Sequence, residues 1–290
     1  MWVSVYTLAV LGIAGVLAET TTGIPELTTI DTTTPEYITN TKPHSLTTFV
    51  RPVDCSDHLM AGARVSGVYE IHPFTSLPHP RCTCTKPVLV WCDMETDGGG
   101  WTVFLNRQHQ AIQLDFNRTW SDYKAGFGSP YSEYYLGNEL LHQMTHGRMY
   151  AIRMDVTLAS GGYDFSTYQY FTVYSEEKRY TASLTGTQLS GTSNTNCLVQ
   201  MNNRVFTTLE RDLDSYNSNC AVKRGGAWWY NNCNYFSPTV PFDENLILTC
   251  SGPSRSVTHL QLKLRPSTCD TSFKKVHLKD TGCGCAAPQH

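Results

Sequence analysis

Asp212 and Asp214 stand two residues apart in a polar run that continues through Ser215, Tyr216, Asn217, Ser218 and Asn219 to Cys220. Oxygen donors at alternate positions of a tight loop form the set that a hard cation such as calcium takes. Two neighbouring carboxylates aimed at one point repel each other unless a cation or a proton intervenes. The run is not an EF-hand: counted from Asp212, its sixth position is Asn217 rather than Gly and its twelfth is Lys223 rather than Glu. Taken alone, the segment reads either as a calcium loop or as a solvated Asp-x-Asp turn. Gly225-Gly226-Ala227-Trp228-Trp229-Tyr230 and Cys233 follow at once. A metal site, a covalent staple and aromatic surface thus fall within one short stretch, which points to recognition outside the cell rather than to cytosolic catalysis.

Other chemistry-bearing residues are weaker signals. His142 and His146 have the i, i+4 spacing that places two imidazoles on one helix face, but Gln143 stands where a zinc protease carries its catalytic Glu. No nucleophile elbow and no phosphate-binding loop occurs, so the chain reads as a non-enzyme. Trp228 and Trp229 are expected to pack in the core first, with a rim indole stacking on a sugar as the alternative. Asn117-Arg118-Thr119 is an N-glycosylation sequon, with Asn117 as the acceptor.

The elements that must position these groups sit in a chain of 290 residues with a formal charge of −3 and no run of more than two basic residues. That charge pattern favours neither nucleic acid nor an anionic membrane surface. Residues 1–18 read as a signal peptide: Val3 to Leu17 is almost wholly apolar, and Val16-Leu17-Ala18 suits cleavage. The stretch is short for a membrane span, and no other apolar run approaches that length, so no span is expected after processing. Residues 19–52 are rich in Thr with interspersed Pro, and read either as an extended, O-glycosylated stalk or as a disordered tail with no role of its own. Eleven cysteines fit an oxidising compartment. Their odd number leaves at least one unpaired within the chain. This motivates a disulfide-linked homodimer, with Cys283 or Cys285 in the tail 268–290 as participants.

Asp54 is placed to cap a short helix through Met60, ended by Gly62. Residues 67–71 and 88–93 read as strands, and Asp97-Gly98-Gly99-Gly100 as the turn into a strand from Trp101. Thr119 and Asn138 are placed to cap helices through Lys124 and Thr145. Tyr150, Ile152, Met154 and Val156 alternate with other residues at the period of a half-buried strand. Tyr168 to Tyr174, Tyr180 to Leu184 and the Leu260-Leu262-Leu264 series follow the same rule. Residues 195–250 read mostly as loop. Strands and short helices without βαβ regularity indicate an α+β fold.

These residues also carry a resemblance. Asp54-Cys55-Ser56-Asp57, Gly67-Val68-Tyr69, Trp91-Cys92-Asp93-Met94 and Asp97-Gly98-Gly99-Gly100-Trp101-Thr102-Val103-Phe104 occur in order. Trp120-Ser121-Asp122-Tyr123-Lys124-Ala125-Gly126-Phe127-Gly128, Tyr135-Leu136-Gly137-Asn138-Glu139, the acidic loop, Cys220-Ala221, Gly226-Ala227-Trp228-Trp229-Tyr230 and Cys233 follow, with Leu262-Lys263-Leu264-Arg265-Pro266 last. Together they resemble the fibrinogen C-terminal domain family, the fibrinogen-related domains that include ficolin- and tachylectin-like lectins, the fibrinogen subunits, and angiopoietin-like and tenascin modules. The resemblance covers residues 53–267 and implies a small N-terminal subdomain, a central antiparallel sheet, and a loop-rich subdomain that carries calcium and ligand.

It further implies that the side chains of Asp212 and Asp214 and the carbonyls of Tyr216 and Ser218 hold calcium. It implies disulfides Cys55–Cys92 and Cys220–Cys233, leaving Cys82, Cys84, Cys197, Cys250, Cys269, Cys283 and Cys285 unassigned. In the lectin branch the peptide before the second loop cysteine is cis, which corresponds here to Asn232–Cys233. That branch carries a Tyr and a His where this chain has Arg224 and Asn234, and Ser237 to Cys250 replaces its aromatic segment. The ligand site is therefore expected around Arg224, Asn232, Cys233 and Asn234, with fewer apolar contacts for an acetyl group. Arg224 reads equally as a solvent-facing charge or as a group that favours an anionic ligand. The resulting expectation is a secreted, calcium-dependent, lectin-like protein that binds acetylated or acidic glycans in innate recognition. The rival is a matrix, adhesion or receptor-ligand module that binds a protein.

Overall fold

The computed structural model describes residues 52–73, 87–192, 197–233, 236–242, 246–250 and 254–267. All fall within a unit spanning Phe49–His290. The expected signal peptide, residues 19–51 of the stalk, the tail 268–290, Asn234, Cys82, Cys84, Cys269, Cys283 and Cys285 lie outside the described residues.

Helix α1 (Cys55–Met60) starts as expected: Asp54 Oδ1 accepts the Ser56 N–H at 2.9 Å. Asp54 Oδ2 accepts the Tyr150 hydroxyl at 2.5 Å and pairs with Arg148 at 3.1 Å, so one carboxylate caps the helix and ties it to the sheet. Strands β1 (Gly67–Ile71) and β2 (Val88–Asp93) pair antiparallel, and Cys55–Cys92 joins α1 to β2. A turn in which Asp97 adopts φ 49° leads into β3 (Trp101–Gln108). Helix α2 (Trp120–Ala125) carries a full capping box, with Thr119 and Asp122 each satisfying the other's backbone N–H.

Strands β4 (Phe127–Gly128) and β5 (Tyr134–Tyr135) form a small ladder against β3. Helix α3 (Asn138–Gly147) differs from expectation at its start. Gly137 is the N-cap, and Asn138 is the first helical residue, with no side-chain cap. The Asn138 Oδ1 instead accepts the Tyr135 hydroxyl at 2.6 Å in a fully buried position.

Strands β6 (Tyr150–Leu158), β7 (Tyr163–Val173) and β8 (Ala182–Gly191) complete one side of the sheet. Strand β9 (Leu246–Leu248) pairs with β10 (Arg255–Pro266). All pairings are antiparallel and the main path runs β1-β2-β3-β10-β6-β7-β8. The last strand in sequence thus lies at the sheet centre. Leu262 faces both Leu105 on β3 and Met154 on β6. The fold is α+β, as the pattern of elements implied.

The half-buried reading of β6 does not hold: Tyr150 to Val156 is buried on both faces. The second face is covered because its charges neutralise one another. Lys263 Nζ lies 2.5 Å from Asp93 and also contacts Asp155, which Arg153 Nε holds at 2.9 Å. Burial alone would raise the Asp93 carboxyl, but the Lys263 ammonium and the hydrogen bonds from Thr96 together outweigh it and lower the pKa to about 2. Paired charges can occupy positions that an unpaired charge could not.

Between β8 and β9 the chain is mostly loop, as expected. It holds a single-turn 3-10 helix (Leu198–Met201) and helix α4 (Cys220–Arg224). Two disulfides fasten this region, Cys220–Cys233 and Cys197–Cys250. The second was left unassigned by the sequence.

Candidate functional site

The acidic loop is positioned from both ends. Upstream, Thr207 and Trp228 exchange backbone hydrogen bonds at 3.0 and 3.1 Å, and Thr207 Oγ1 accepts the Leu213 N–H at 3.3 Å. Downstream, Asn219 caps α4 by accepting the N–H groups of Ala221 and Val222 at 2.8 and 3.1 Å. Its amide donates to the carbonyls of Thr208 and Leu209 at 3.0 and 3.2 Å. One side chain therefore starts the helix and closes the loop.

Inside that frame, Asp214 Oδ1 accepts the Tyr216 N–H at 2.9 Å and Oδ2 accepts the Cys220 N–H at 3.0 Å. Asp212 and the residues 215–218 are exposed. Loss of solvation, and then the Asp214 charge, push the Asp212 carboxyl above its ordinary value. The Ser218 carbonyl lies 3.8 Å from the Cys233 sulfur, which ties the loop to the staple. Asp212, Asp214, Tyr216 and Ser218 thus share one exposed turn made of oxygen donors, with a like-charged pair that a cation would relieve. This donor set fits a hard cation. Among the described residues no group of three or more His, Cys, Asp and Glu side chains converges, so carbonyls and water would supply the rest.

The Trp pair is core, as expected. Trp228 and Trp229 are essentially inaccessible and meet edge to face at 4.8 Å. Trp229 Nε1 donates to the Tyr180 carbonyl at 2.6 Å. Gly226 has to be glycine, because a Cβ there would sit 2.1 Å from the Thr239 carbonyl oxygen. Gly225 ends α4 in the left-handed region at φ 71°. The Tyr230 hydroxyl donates to the Gly226 carbonyl and lies 2.9 Å from Ser237 Oγ. Burial raises its pKa and the negative charge of Asp214 adds to that, while the Ser237 hydrogen bond and the positive charge of Arg224 oppose it. Tyr230 therefore lies within electrostatic reach of both the acidic loop and the end of α4.

Arg224 is half-buried, and its Nε is buried with no hydrogen-bond partner among the described residues. Asn232 is half-buried and Cys233 fully buried. The Asn232–Cys233 peptide is trans, since the described residues contain no cis bond. This corrects the family-based expectation; trans is the lower-energy isomer for a non-proline bond.

A cavity of about 160 Å³ opens beside Gly225, lined by Gln113, Leu114, Asp115, Phe116, Pro241 and Phe242 as well. Arg107 supports its wall, with its guanidinium 4.0 Å from the Phe116 ring and 5.5 Å from that of Phe242. Glu133 holds Arg107 at 2.9 Å, and the Pro238 and Val240 carbonyls hold it at 2.6 and 3.0 Å. The cavity adjoins Arg224 along the sequence but is not lined by Asn232 or Cys233. Its lining was not found from the sequence, because residues 109–119 have no periodicity and Pro241 and Phe242 lie in a stretch that reads only as loop. Asn117, the sequon residue, is exposed one position beyond Phe116.

One antiparallel sheet that carries a stapled loop region with an acidic turn and a lined cavity defines a binding domain of the fibrinogen-like globe class. The protein belongs to the family of the C-terminal globular domain of fibrinogen beta and gamma chains, matched over residues 51–245. It is 35% identical over 228 residues to ryncolin-4 of Cerberus rynchops, a match covering 76% of this chain and 62% of that protein. It is 41% identical over 182 residues to human ficolin-3, covering 63% and 56% respectively. Chicken (Gallus gallus) tenascin is 36% identical over 223 residues, 75% of this chain and 12% of tenascin. The chain thus spans less than two thirds of each of these relatives. Among solved structures, the fibrinogen-like globe domain of human ANGPTL2 aligns with a TM-score of 0.63 at 30% identity, covering 74% of this chain and 99% of the globe. Lamprey fibrin D-dimer complexed with the peptide Gly-His-Arg-Pro-amide aligns at 0.60 and 27% identity, covering 80% and 78%.

Proposed function

We propose that this chain is a secreted, lectin-like recognition protein that binds acetylated or acidic glycans outside the cell in a calcium-dependent way, in the service of innate recognition. Its role is binding rather than catalysis. Asp212 and Asp214, with the carbonyls of Tyr216 and Ser218, would hold calcium. The ion would neutralise the acidic turn and stiffen the segment that the Cys220–Cys233 bond joins to the ligand side. The observation that carries the reading is the exposed acidic turn of Asp212 and Asp214, tied at Ser218 to the Cys220–Cys233 staple, with Arg224 closing the helix that follows it. The buried Arg224 Nε lacks a partner among the described residues and suits an acetyl oxygen, carboxylate or sulfate. Similarity to ficolin-3 and ryncolin-4 supports the lectin reading. Asn117 is exposed and suits glycosylation. Among the described residues no helix is long and apolar enough to cross a membrane.

A second reading, a matrix, adhesion or receptor-ligand module, is favoured by the tenascin and ANGPTL2 likenesses and by the peptide bound to lamprey fibrin. A glycan array with calcium and with chelator separates the two. Calcium-dependent glycan binding that disappears in Asp214→Ala supports the lectin. A flat array together with a protein receptor captured in calcium supports the rival. Calorimetric calcium binding that persists unchanged in Asp214→Ala would sink the metal assignment.

A further inference from the structure

We propose that His142 and His146 form a two-imidazole chelate for a borderline divalent transition-metal ion, zinc or nickel in class, on helix α3. The helix runs from Asn138 to Gly147, so the two residues lie one turn apart on one face. Their rings are 4.8 Å apart between centroids, which shows that both side chains turn to the same patch. His142 Nδ1 lies 2.9 Å from the Val173 carbonyl oxygen. A carbonyl only accepts, so Nδ1 carries the proton and Nε2 is the ring nitrogen left to offer a lone pair to a metal. A backbone carbonyl on the second ring nitrogen is the support that metal-binding histidines characteristically have, because it fixes both tautomer and ring plane. His146 is exposed and can adjust its rotamer to bring its nitrogen to the same ion, at metal–nitrogen distances of about 2.0–2.1 Å for zinc.

The donor type separates this site from the acidic turn. Imidazole nitrogens suit zinc, copper and nickel, whereas calcium takes oxygens. The neighbouring acid on the same helix does not join it. Glu139 Oε1 accepts the Gln143 amide and Oε2 accepts the Tyr180 hydroxyl, both at 2.7 Å. No third His, Cys, Asp or Glu converges among the described residues. In four-coordinate zinc geometry two positions are left to water, and the bound ion is exchangeable. Gln143, between the histidines, offers no general base, so the site binds metal without the hydrolytic chemistry of a zinc protease.

The test uses the full-length protein, stripped with chelator and returned to saturating calcium so that the acidic turn is occupied. Nickel chloride is titrated by calorimetry, and imidazole accessibility is mapped by diethyl pyrocarbonate labelling with peptide mass analysis. Nickel should protect both His142 and His146 in the parent. His146→Ala should weaken this site by roughly tenfold or more and leave His142 labelled at the same nickel concentration. His146 is exposed, so this variant should keep the parent's melting temperature in chelator. Asp214→Ala should keep the nickel site, and any metal held elsewhere cancels between parent and variant. Nickel affinity in His146→Ala within about twofold of the parent, or no protection of either histidine, would overturn the proposal.

Discussion

The centre of the sheet and the stapled loop region treat charge in opposite ways. From β2, β10 and β6, the side chains of Asp93, Lys263, Asp155 and Arg153 are buried and paired with one another. Arg107 and Glu133 do the same behind the cavity. In the loop region, Asp212 and Asp214 are like charges in a largely exposed turn, and Arg224 has a buried Nε without a partner among the described residues. Charges satisfied inside the fold specify structure; charges left uncompensated at the surface are what a ligand or ion can complete. Substitutions at the two places should therefore separate stability from recognition.

The largest effect is expected at Lys263. Lys263→Met leaves Asp93 buried without its cation and Asp155 with Arg153 alone, and such a loss costs about 3–5 kcal/mol. A large fall in the urea midpoint is the expected result, while calcium binding by the folded fraction stays unchanged. The same ion pair predicts an acid limb. The Asp93 pKa is depressed to about 2 in the folded chain, from an ordinary 3.8. Its contribution is present above about pH 4 and is lost as the pH falls through about 2. Asp93→Asn should flatten the stability loss in that window, as read by chemical denaturation at each pH. An unaltered acid limb would mean that the pairing does not govern it.

A smaller effect should follow from opening the staple. The Cys220–Cys233 bond closes a loop with a sequence separation of 13. Replacing both cysteines by Ser should cost roughly 3 kcal/mol in the chain-entropy account. Unlike Lys263→Met, it should also weaken calcium binding, because the Ser218 carbonyl packs on the Cys233 sulfur. Equal calcium affinity in the Ser-Ser variant would show that loop and staple are independent.

Which parts were legible in the sequence follows the same division. The caps at Asp54 and Thr119 and strands β1, β2 and β3 were readable because hydrogen-bond chemistry and alternation are local. By contrast, β7 and β8 run beyond the segments 168–174 and 180–184, and β4, β5 and β9 carry too few residues for a pattern. Asn138 misled because the same side chain that can cap a helix can also accept a buried phenol, and only the tertiary structure selects. The buried face of β6 was hidden because Arg153 and Asp155 look solvent-facing until Lys263, 108 positions beyond Asp155 along the sequence, is brought beside them. Cys197–Cys250 could not be picked out among unassigned cysteines, since pairing is a matter of distance in space. The acidic turn was legible by residue type. The cavity at Gln113–Phe116 and Pro241–Phe242 was not, because two loops remote in sequence build it.

The smallest effect on stability and the sharpest effect on recognition are expected at Arg224. It sits at the end of α4 with Gly225 in the left-handed region directly after it, so the backbone is set by glycine rather than by the arginine side chain. Arg224→Ala should shift stability by about 0.5 kcal/mol or less, as for an ordinary half-exposed position. If the guanidinium meets an anionic group on the ligand, the variant should lose binding to sulfated or carboxylated glycans and lose its dependence on salt. Neutral N-acetyl sugars should be far less affected. Arg224→Lys keeps the charge but not the planar fork and should recover only part of the binding. Binding of acidic glycans that is unchanged in Arg224→Ala would make the arginine a solvent-facing charge. Recognition would then have to be sought in the cavity beside Gly225, where Phe116 and Phe242 offer apolar walls rather than a cation.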